Sequence, residues 1–484
     1  MNDAIPEQSA PFVTPEWVRQ AIFYQIFPER FANGDSANDP ENVQPWGTVP
    51  TFYNFMGGDL RGIIDHLDYL TELGITALYL NPIFQATSNH KYNTFDYFRI
   101  DPHFGDLATF HQLIAAAHDH GIHVILDGVF NHCGRGFYAF NDVLENGAHS
   151  PYLHWFHIER FPLYAYDGDH PHGYKTWWEF RSLPKFNTDH LPVRRYLLEV
   201  ARYWIEQGAD GWRLDVPNEI ADFGFWREFR AVVKGANPNA YIVGEIWNDA
   251  TPWLDGTQFD AVMNYLFRDL CRDFFARDSI RADTFGAGID HLLALYARAA
   301  TEVQLNLLGS HDTARFRTEA GGDTARLRLA TLFQMTFPGA PCVYYGDEIG
   351  MEGGGDPHCR GCFPWDQSCW DVDLLEWTRR CIALRQAHPA LRTGQYRSLM
   401  ARSTINLYAY ARWNGDERLV MALNNRDVTR TLDLLLAGVP IPDGAELRDL
   451  LSGETYRVRA GRVEGVRVPK RGGVVLLHQA GVTS

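Results

Sequence analysis

The chain has 484 residues, with 44 basic and 60 acidic side chains and a net charge of −16. That acidity argues against a nucleic-acid binder, which needs a basic patch or stripe. The mix of 45% apolar and 21% charged residues excludes general disorder, and no apolar run reaches the ~18–20 residues that span a bilayer.

The first 17 residues, MNDAIPEQSAPFVTPEW, have neither a basic start nor an apolar centre, so a secretory leader is not expected. Seven cysteines are too few, and odd in number, for a disulfide scaffold, which points to reduced thiols and a cytoplasmic setting. Strand candidates follow at 21–28, 75–83, 123–130, 209–215, 240–246, 259–265, 303–309 and 340–348. Between them lie amphipathic helical patterns, at 60–74, 106–121, 193–208 and 324–337 among others; the connection over 248–258 looks short. Continuous apolar strands alternating with helices predict a parallel (β/α)8 barrel over residues 1–132 and 192–390.

Two stretches break the alternation. Residues 133–191 are aromatic, rich in Gly and Pro, and too long for an ordinary loop, so they read as an inserted subdomain. From 391 to 484 the pattern turns to short β runs with an Asn414-Gly415 hairpin signal, which predicts an antiparallel β-sandwich.

In a parallel barrel, functional side chains gather at the strand C-termini. By that rule Asp127, Asn131 and His132 follow the third strand, Arg213 and Asp215 the fourth, Glu245 the fifth, and His311 and Asp312 the seventh. Arg213 or Asp215 alone would read equally well as half of a structural ion pair. Their convergence points to catalysis. Two working carboxylates with a third nearby suit retaining glycoside hydrolysis, in which one attacks the anomeric carbon and another protonates the leaving oxygen. Arg213 would hold Asp215 ionised.

DGVFNH (127–132), GWRLDVPNE (211–219), GEIW (244–247) and LLGSHD (307–312) resemble, in order and spacing, the four signature regions of the α-amylase superfamily. LPKFN (183–187) looks like the fifth region in the form found in the cyclomaltodextrinase, neopullulanase and maltogenic amylase group, and segments 90–105 and 347–366 match that group too. The resemblance implies Asp215 as nucleophile, Glu245 as general acid/base and Asp312 as the residue fixing the distorted sugar. It further implies that Arg213, His132 and His311 bind that sugar, that Tyr92 stacks beneath it, and that Asp356 and Arg360 clamp it further out. Trp247, with Trp177 or Trp178, is expected to line the cleft. The expected substrates are cyclodextrins and short maltooligosaccharides cut at α-1,4 bonds, with transglycosylation as a side reaction. The rivals are an exo-acting α-glucosidase, a sucrose- or trehalose-converting enzyme, and a non-catalytic carbohydrate-binding relative.

The group usually carries an N-terminal β-domain that builds a dimer; here the first barrel strand starts near residue 21, so a monomer is expected. Pro217 stands where the group has Ala. Asn33, Asp35, Asn38 and Asp39, with Gly57 and Asp59, offer the hard oxygen ligands that Ca²⁺ selects, and the resemblance implies a structural calcium there. Cys359 and Cys362 have zinc-like spacing without a second pair, so they read as free thiols with Cys369. The histidines at 118–123 read as surface.

Overall fold

Eight short strands alternate with helices along the first two thirds of the chain: β1 (Phe23–Ile26), β2 (Ala77–Leu80), β3 (His123–Gly128), β4 (Gly211–Leu214), β5 (Tyr241–Gly244), β6 (Ala261–Val262), β7 (Leu305–Leu307) and β8 (Ala340–Tyr344). The computed structural model describes residues 12–415 and 417–479; most of the stretch read for a leader lies outside them. The strands pair in parallel in the order β6-β5-β4-β3-β2-β1-β8-β7. A parallel bridge from Met263 to Leu305 joins β6 to β7 and closes the ring.

Strand side chains alternate between the barrel interior and the helix layer. Phe23, Ala77, Tyr79, Ile125, Tyr241 and Val243 form the inner cluster. Tyr24, Leu78, Leu80, Val124, Leu126, Trp212 and Ile242 join the outer one. The inward phase, carried two residues further along each strand, lands on Gln25, Asn81, Asp127, Arg213 then Asp215, and Glu245. The alternation that packs the core therefore also aims the polar groups at the mouth.

Aspartates start several of the barrel helices. Asp106 accepts from the Thr109 N–H, Asp222 from Phe225 and Asp323 from Ala325 and Arg326, which is N-capping. The 60–74 pattern is not one helix but two, Leu60–Ile64 and Leu67–Leu73. At the break His66 stacks on Trp365 with centroids 3.6 Å apart, a tertiary contact that periodicity does not encode. Gly74, at φ 93°, ends the second helix. The sixth strand shrinks to Ala261–Val262, and the short connection before it holds a single 3₁₀ turn, Thr251–Trp253.

Between β3 and the helix Leu191–Glu206, a helix at Tyr138–Asn146 and several isolated bridges enclose an aromatic core of Phe137, Phe140, Phe156, Tyr174 and Phe186. The C-terminal strands are β9 (Gln395–Arg402), β10 (Leu407–Asn414), β11 (Glu417–Asn424), β12 (Arg430–Leu435), β13 (Glu446–Asp449), β14 (Thr455–Arg459), β15 (Arg462–Val468) and β16 (Gly472–Gln479). All pair antiparallel, and the register Asn414↔Glu417 places the hairpin turn at Gly415. Leu407, Ala409 and Ala411 of β10 share a core with Leu434, Val458 and Val466, so the sheet folds onto itself as a sandwich. The alternate residues Tyr408 and Tyr410 pack against the barrel's core. Among the described residues, no helix is long and apolar enough to cross a membrane.

Candidate active site

Arg213 is the centre of the mouth. Fully buried on β4, it places Nη1 2.7 Å from Asp127 Oδ1 and 3.2 Å from Asp215 Oδ1, and Nη2 2.8 Å from Glu245 Oε2. Asp127 Oδ2 accepts hydrogen bonds from the hydroxyls of Tyr79 and Tyr92, each at 2.8 Å. Tyr92 lies flat against His311, with centroids 5.4 Å apart and planes 8° from parallel, and its hydroxyl is 2.6 Å from His311 Nε2.

Two residues that strand-end reasoning passed over hold this network. Gln25 reaches His311 Nδ1 at 2.8 Å and Asn81 Oδ1 at 3.0 Å, while Asn81 Nδ2 donates to the Tyr92 hydroxyl at 2.9 Å. Both are buried polar residues at strand ends, so the rule that found Asp127 also marks them. His311 is held neutral, far below the usual imidazole range, by burial and then by the Arg360 and Arg213 charges. Burial likewise pushes His132 down to about 3. His132 Nε2 and the Trp177 indole nitrogen are buried without hydrogen-bond partners, and the two rings stack at 5.5 Å. Buried polar atoms of this kind need a partner, and a sugar hydroxyl would supply one. His90, also unflagged, stacks on Tyr92 at 5.9 Å.

Asp356 and Arg360 are more than a surface pair. Arg360 is 7% exposed, and its Nη2 lies 3.0 Å from Asp356 and 3.2 Å from Asp312 Oδ1, while Nε donates to the His311 carbonyl at 2.8 Å. Trp247 does two things. It stacks on Tyr265 at 3.7 Å and donates its indole N–H to Glu245 Oε1 at 3.1 Å. Trp178 is 69% exposed and stacks on Trp177 at 5.0 Å. A cavity of about 600 Å³ lies between the insertion and the segment after β4, lined by Trp178, Lys185, Asp189 and Glu219 among others and by none of Asp215, Glu245 and Asp312.

Burial pushes Asp215, Glu245 and Asp312 above the ordinary carboxylate range. Arg213 opposes the shift at all three, and neighbouring acids add to it. Carboxyls crowded around so few cations hold their protons more tightly than ordinary carboxyls do, and that tendency belongs to the group as a whole. Glu245 pairs with Arg213 Nη2 across 2.8 Å and accepts two hydrogen bonds, from the Val216 N–H at 3.0 Å and from Trp247. Asp215 accepts one, from Arg213.

The loop after β1 gathers the expected metal residues. Asn33 Nδ2 meets Asp39 Oδ1 at 2.7 Å, and a Cβ at Gly57 (φ 79°) would strike both side chains. Asn38 Oδ1 is buried with no partner. Asp59 already accepts four N–H bonds, from Gly34, Gly62, Asp35 and Asn38, so an ion bound through it would displace one of them. Asp35 accepts from the Ala37 N–H at 3.0 Å on an exposed turn. Asn38 Oδ1 is orphaned beside the Asp59 carboxylate, to which its own Nδ2 donates, and oxygen donors of this kind suit a hard cation. All seven cysteines are free thiols, and Cys359 Sγ donates to the His311 carbonyl at 3.0 Å.

Comparison with known proteins agrees with this architecture. A family described as "Alpha amylase, catalytic domain" matches residues 25–373, and "Neopullulanase-like, C-terminal domain" matches 396–474. The chain belongs to the α-amylase family of glycoside hydrolases. Within that family it is cyclomaltodextrinase-like. It is 52% identical over 426 residues to a cyclomaltodextrinase of a Bacillus species, covering 88% of this chain and 76% of the relative. It is 48% identical over 468 residues to neopullulanase 2 of Thermoactinomyces vulgaris, covering 96% and 79%. Among solved structures, the ligand-free cyclic α-maltosyl-(1→6)-maltose hydrolase from Arthrobacter globiformis superposes with a TM-score of 0.87 at 43% identity, covering 97% of this chain and 100% of that one.

Proposed function

We propose that the protein is a retaining hydrolase of α-1,4-glucosidic bonds in cyclodextrins and short maltooligosaccharides, with Asp215 as nucleophile and Glu245 as general acid/base. The observation that carries this reading is the position of the two carboxyls, on opposite arms of one buried guanidinium. Asp215 would attack the anomeric carbon while Glu245 gives its proton to the departing glycosidic oxygen. Glu245, now ionised, would then take a proton from water as that water displaces Asp215 from the sugar. A sugar hydroxyl in place of water gives transglycosylation. Of the two carboxyls Glu245 has more hydrogen-bond donors, which favours charge there. A substrate hydroxyl donating to Asp215 would supply the donor it lacks and move the shared proton to Glu245, where the chemistry needs it. Asp312, fixed by Arg360 and His311, would accept hydroxyls of the distorted sugar. His132, His311 and Arg213 would surround that sugar, with Tyr92 beneath it, and Asp356 and Arg360 further out.

The test is product analysis on β-cyclodextrin, cyclic maltosyl-maltose, maltotriose, pullulan, starch, sucrose and trehalose, with the released anomer read by NMR. The expected result is kcat/KM higher for cyclodextrin or maltotriose than for starch, maltose and glucose as main products, and the α-anomer first. A first-formed β-anomer would end the retaining assignment. Starch cut faster, with long dextrins first, would end the substrate assignment. Turnover of sucrose or trehalose alone would favour the sucrose- or trehalose-converting rival, glucose released singly from the ends of maltooligosaccharides the exo-acting one, and binding without turnover the non-catalytic one.

We also propose a structural calcium held by Asn33, Asp35, Asn38, Asp39 and Asp59 with the Gly57 backbone. The loop touches none of the catalytic carboxyls, so an ion there would act on stability. A ligand bound at 100 times its Kd stabilises by about 2.7 kcal/mol. Chelator should therefore lower Tm by several degrees and leave the initial rate nearly unchanged. An unaltered melt with no metal by elemental analysis would retire the site. The monomeric state is a further proposal, contradicted by a scattering mass of twice the 55.2 kDa chain. A cytoplasmic setting fits seven free thiols, six of them buried.

A further inference from the structure

The opposite end of the barrel carries a second cluster of ligating side chains, far from any sugar. His118 stands in the last turn of the helix Leu107–Asp119, His123 opens β3, and Asp210 immediately precedes β4. One donor atom from each lies within 4.8 Å of the other two. His118 Nε2 is 2.8 Å from Asp210 Oδ2, and His123 Nδ1 is 3.1 Å from Asp210 Oδ1.

We propose that His118, His123 and Asp210 form a binding site for a borderline divalent transition metal, Zn²⁺ being the natural occupant, which staples the N-terminal ends of β3 and β4 to the helix between β2 and β3. Two imidazoles and one carboxylate are a donor set suited to Zn²⁺, Ni²⁺ or Cu²⁺ and unlike the all-oxygen set that takes Ca²⁺. Metal–ligand bonds of about 2.0–2.2 Å at tetrahedral angles put ligand atoms roughly 3.3–3.5 Å apart. The two His–Asp spacings, 2.8 and 3.1 Å, need to open by only a few tenths of an ångström.

The scaffold is rigid where a site needs it to be. Asp210 is fixed through its backbone, with its N–H on the Val124 carbonyl at 2.7 Å, and through a side-chain bond from the Val124 N–H to Oδ2 at 2.8 Å. That second bond orients the carboxylate and would persist beside a metal, as supporting hydrogen bonds around metal ligands do. The His123 ring is clamped by Trp17, stacked at 4.1 Å, and the Trp17 indole N–H is tied to the Asn239 carbonyl at 2.8 Å. The side chains of His118 and His123 are 41% and 37% exposed, so water can complete the coordination and the ion has an entry path. His120, close in sequence, is engaged elsewhere, 3.1 Å from Asp68. The sequence reading of the 118–123 histidines as plain surface missed Asp210 because it lies 87 residues beyond the nearer histidine.

The test is calorimetric titration of the calcium-saturated full-length protein with Zn²⁺, alongside Co²⁺ titration followed by visible absorption. The expected result is one equivalent bound at micromolar Kd, tetrahedral Co²⁺ bands, and a Tm raised by a few degrees with kcat unaltered. His118→Ala should weaken binding at least tenfold, and His118→Cys, which restores a ligand, should recover most of it. His123→Asn should also weaken it while the apo-protein melts as a folded chain. Absence of Zn²⁺ binding in the native protein would overturn the proposal. So would binding that survives both His118→Ala and His123→Asn unchanged, since it would then belong to other histidines.

Discussion

The two ends of the barrel treat buried acids in opposite ways. At the N-terminal ends, the residue just before a strand is twice an aspartate that reaches across to the neighbouring strand. Asp210 takes the Val124 N–H, and Asp260 takes the Ile242 N–H at 2.9 Å. Asp260 is fully buried yet balanced, with Arg230 and Lys234 each at 2.8 Å. Asp210 is held down at about 2 despite burial, by hydrogen bonds from His118 and His123 and the Val124 N–H. At the C-terminal ends the balance reverses. Asp127, Asp215 and Glu245 share Arg213, while Asp312 and Asp356 share Arg360. One end is compensated for stability. The other keeps acids in excess, and protons with them, as a site built for proton transfer must.

The sharpest way to break this comparison is to neutralise one acid at each end. Asp215→Asn should lower kcat by about four orders of magnitude or more, the scale expected when a nucleophile is lost, without lowering Tm, because it relieves crowding among like charges. Asp260→Asn should do the reverse. It strands two cations in a buried site, which costs about 3–5 kcal/mol, while the folded fraction keeps its turnover at low temperature. Initial rates and thermal melts on both variants suffice. A destabilised, active Asp215→Asn would overturn the contrast, and so would an inactive but stable Asp260→Asn.

A third acid tests whether uncompensated burial is costly outside the mouth as well. Glu348 is buried after β8, where Oε1 accepts from the hydroxyls of Tyr24 at 2.7 Å and Tyr69 at 2.6 Å, while Oε2 has no partner. Burial raises it from 4.5 to about 7. The folded state thus binds the proton more tightly than the unfolded chain, so its stabilising contribution is complete below pH 4.5 and fades as pH rises through 7. The loss approaches about 3 kcal/mol at 1.36 kcal/mol per unit. Glu348→Gln keeps the acceptor for both tyrosines and cannot ionise. Denaturant melts from pH 5 to 8 should show a flatter pH slope in the variant, which gains on the native protein toward pH 8. Parallel slopes would refute the assignment.

How much of this was legible beforehand follows from which interactions are local. The eight strands, the helical patterns between them and the break at residues 133–191 follow from periodicity and turn chemistry, and the strand-end rule alone brought Arg213, Asp215, Glu245 and Asp312 to one mouth. What escaped depends on contacts across the chain. The strand-end rule marks Gln25 as a position, but its task of holding the His311 ring, 286 residues away, needs the fold. The helix break at His66 depends on Trp365, and Asp260 acquires a role only when Arg230 and Lys234 fold over it. The burial of Arg360 against Asp312 also required the fold, because a spacing of four residues between Asp356 and Arg360 looks the same on any surface.

The smallest expected effect concerns Trp247, which the sequence places in the cleft and the structure ties to Glu245. A tryptophan lining sugar subsites acts through its ring face, whereas a tryptophan orienting an acid acts through its N–H. Trp247→Phe separates the two, since phenylalanine keeps an aromatic face against Tyr265 and loses only the donor to Glu245 Oε1. Removing one donor from a carboxylate disfavours its ionised form, so the acid should titrate higher. Trp247 is 40% exposed and its N–H makes one of two hydrogen bonds to Glu245, so its loss is worth about 1 kcal/mol, the scale of an ordinary hydrogen bond. The expected outcome is a severalfold drop in kcat with little change in KM and a modest upward displacement of the pH profile. A rise in KM with unchanged kcat and an unmoved profile would return Trp247 to the role of a sugar platform. That result would leave Arg213 and Val216 as the groups that position Glu245.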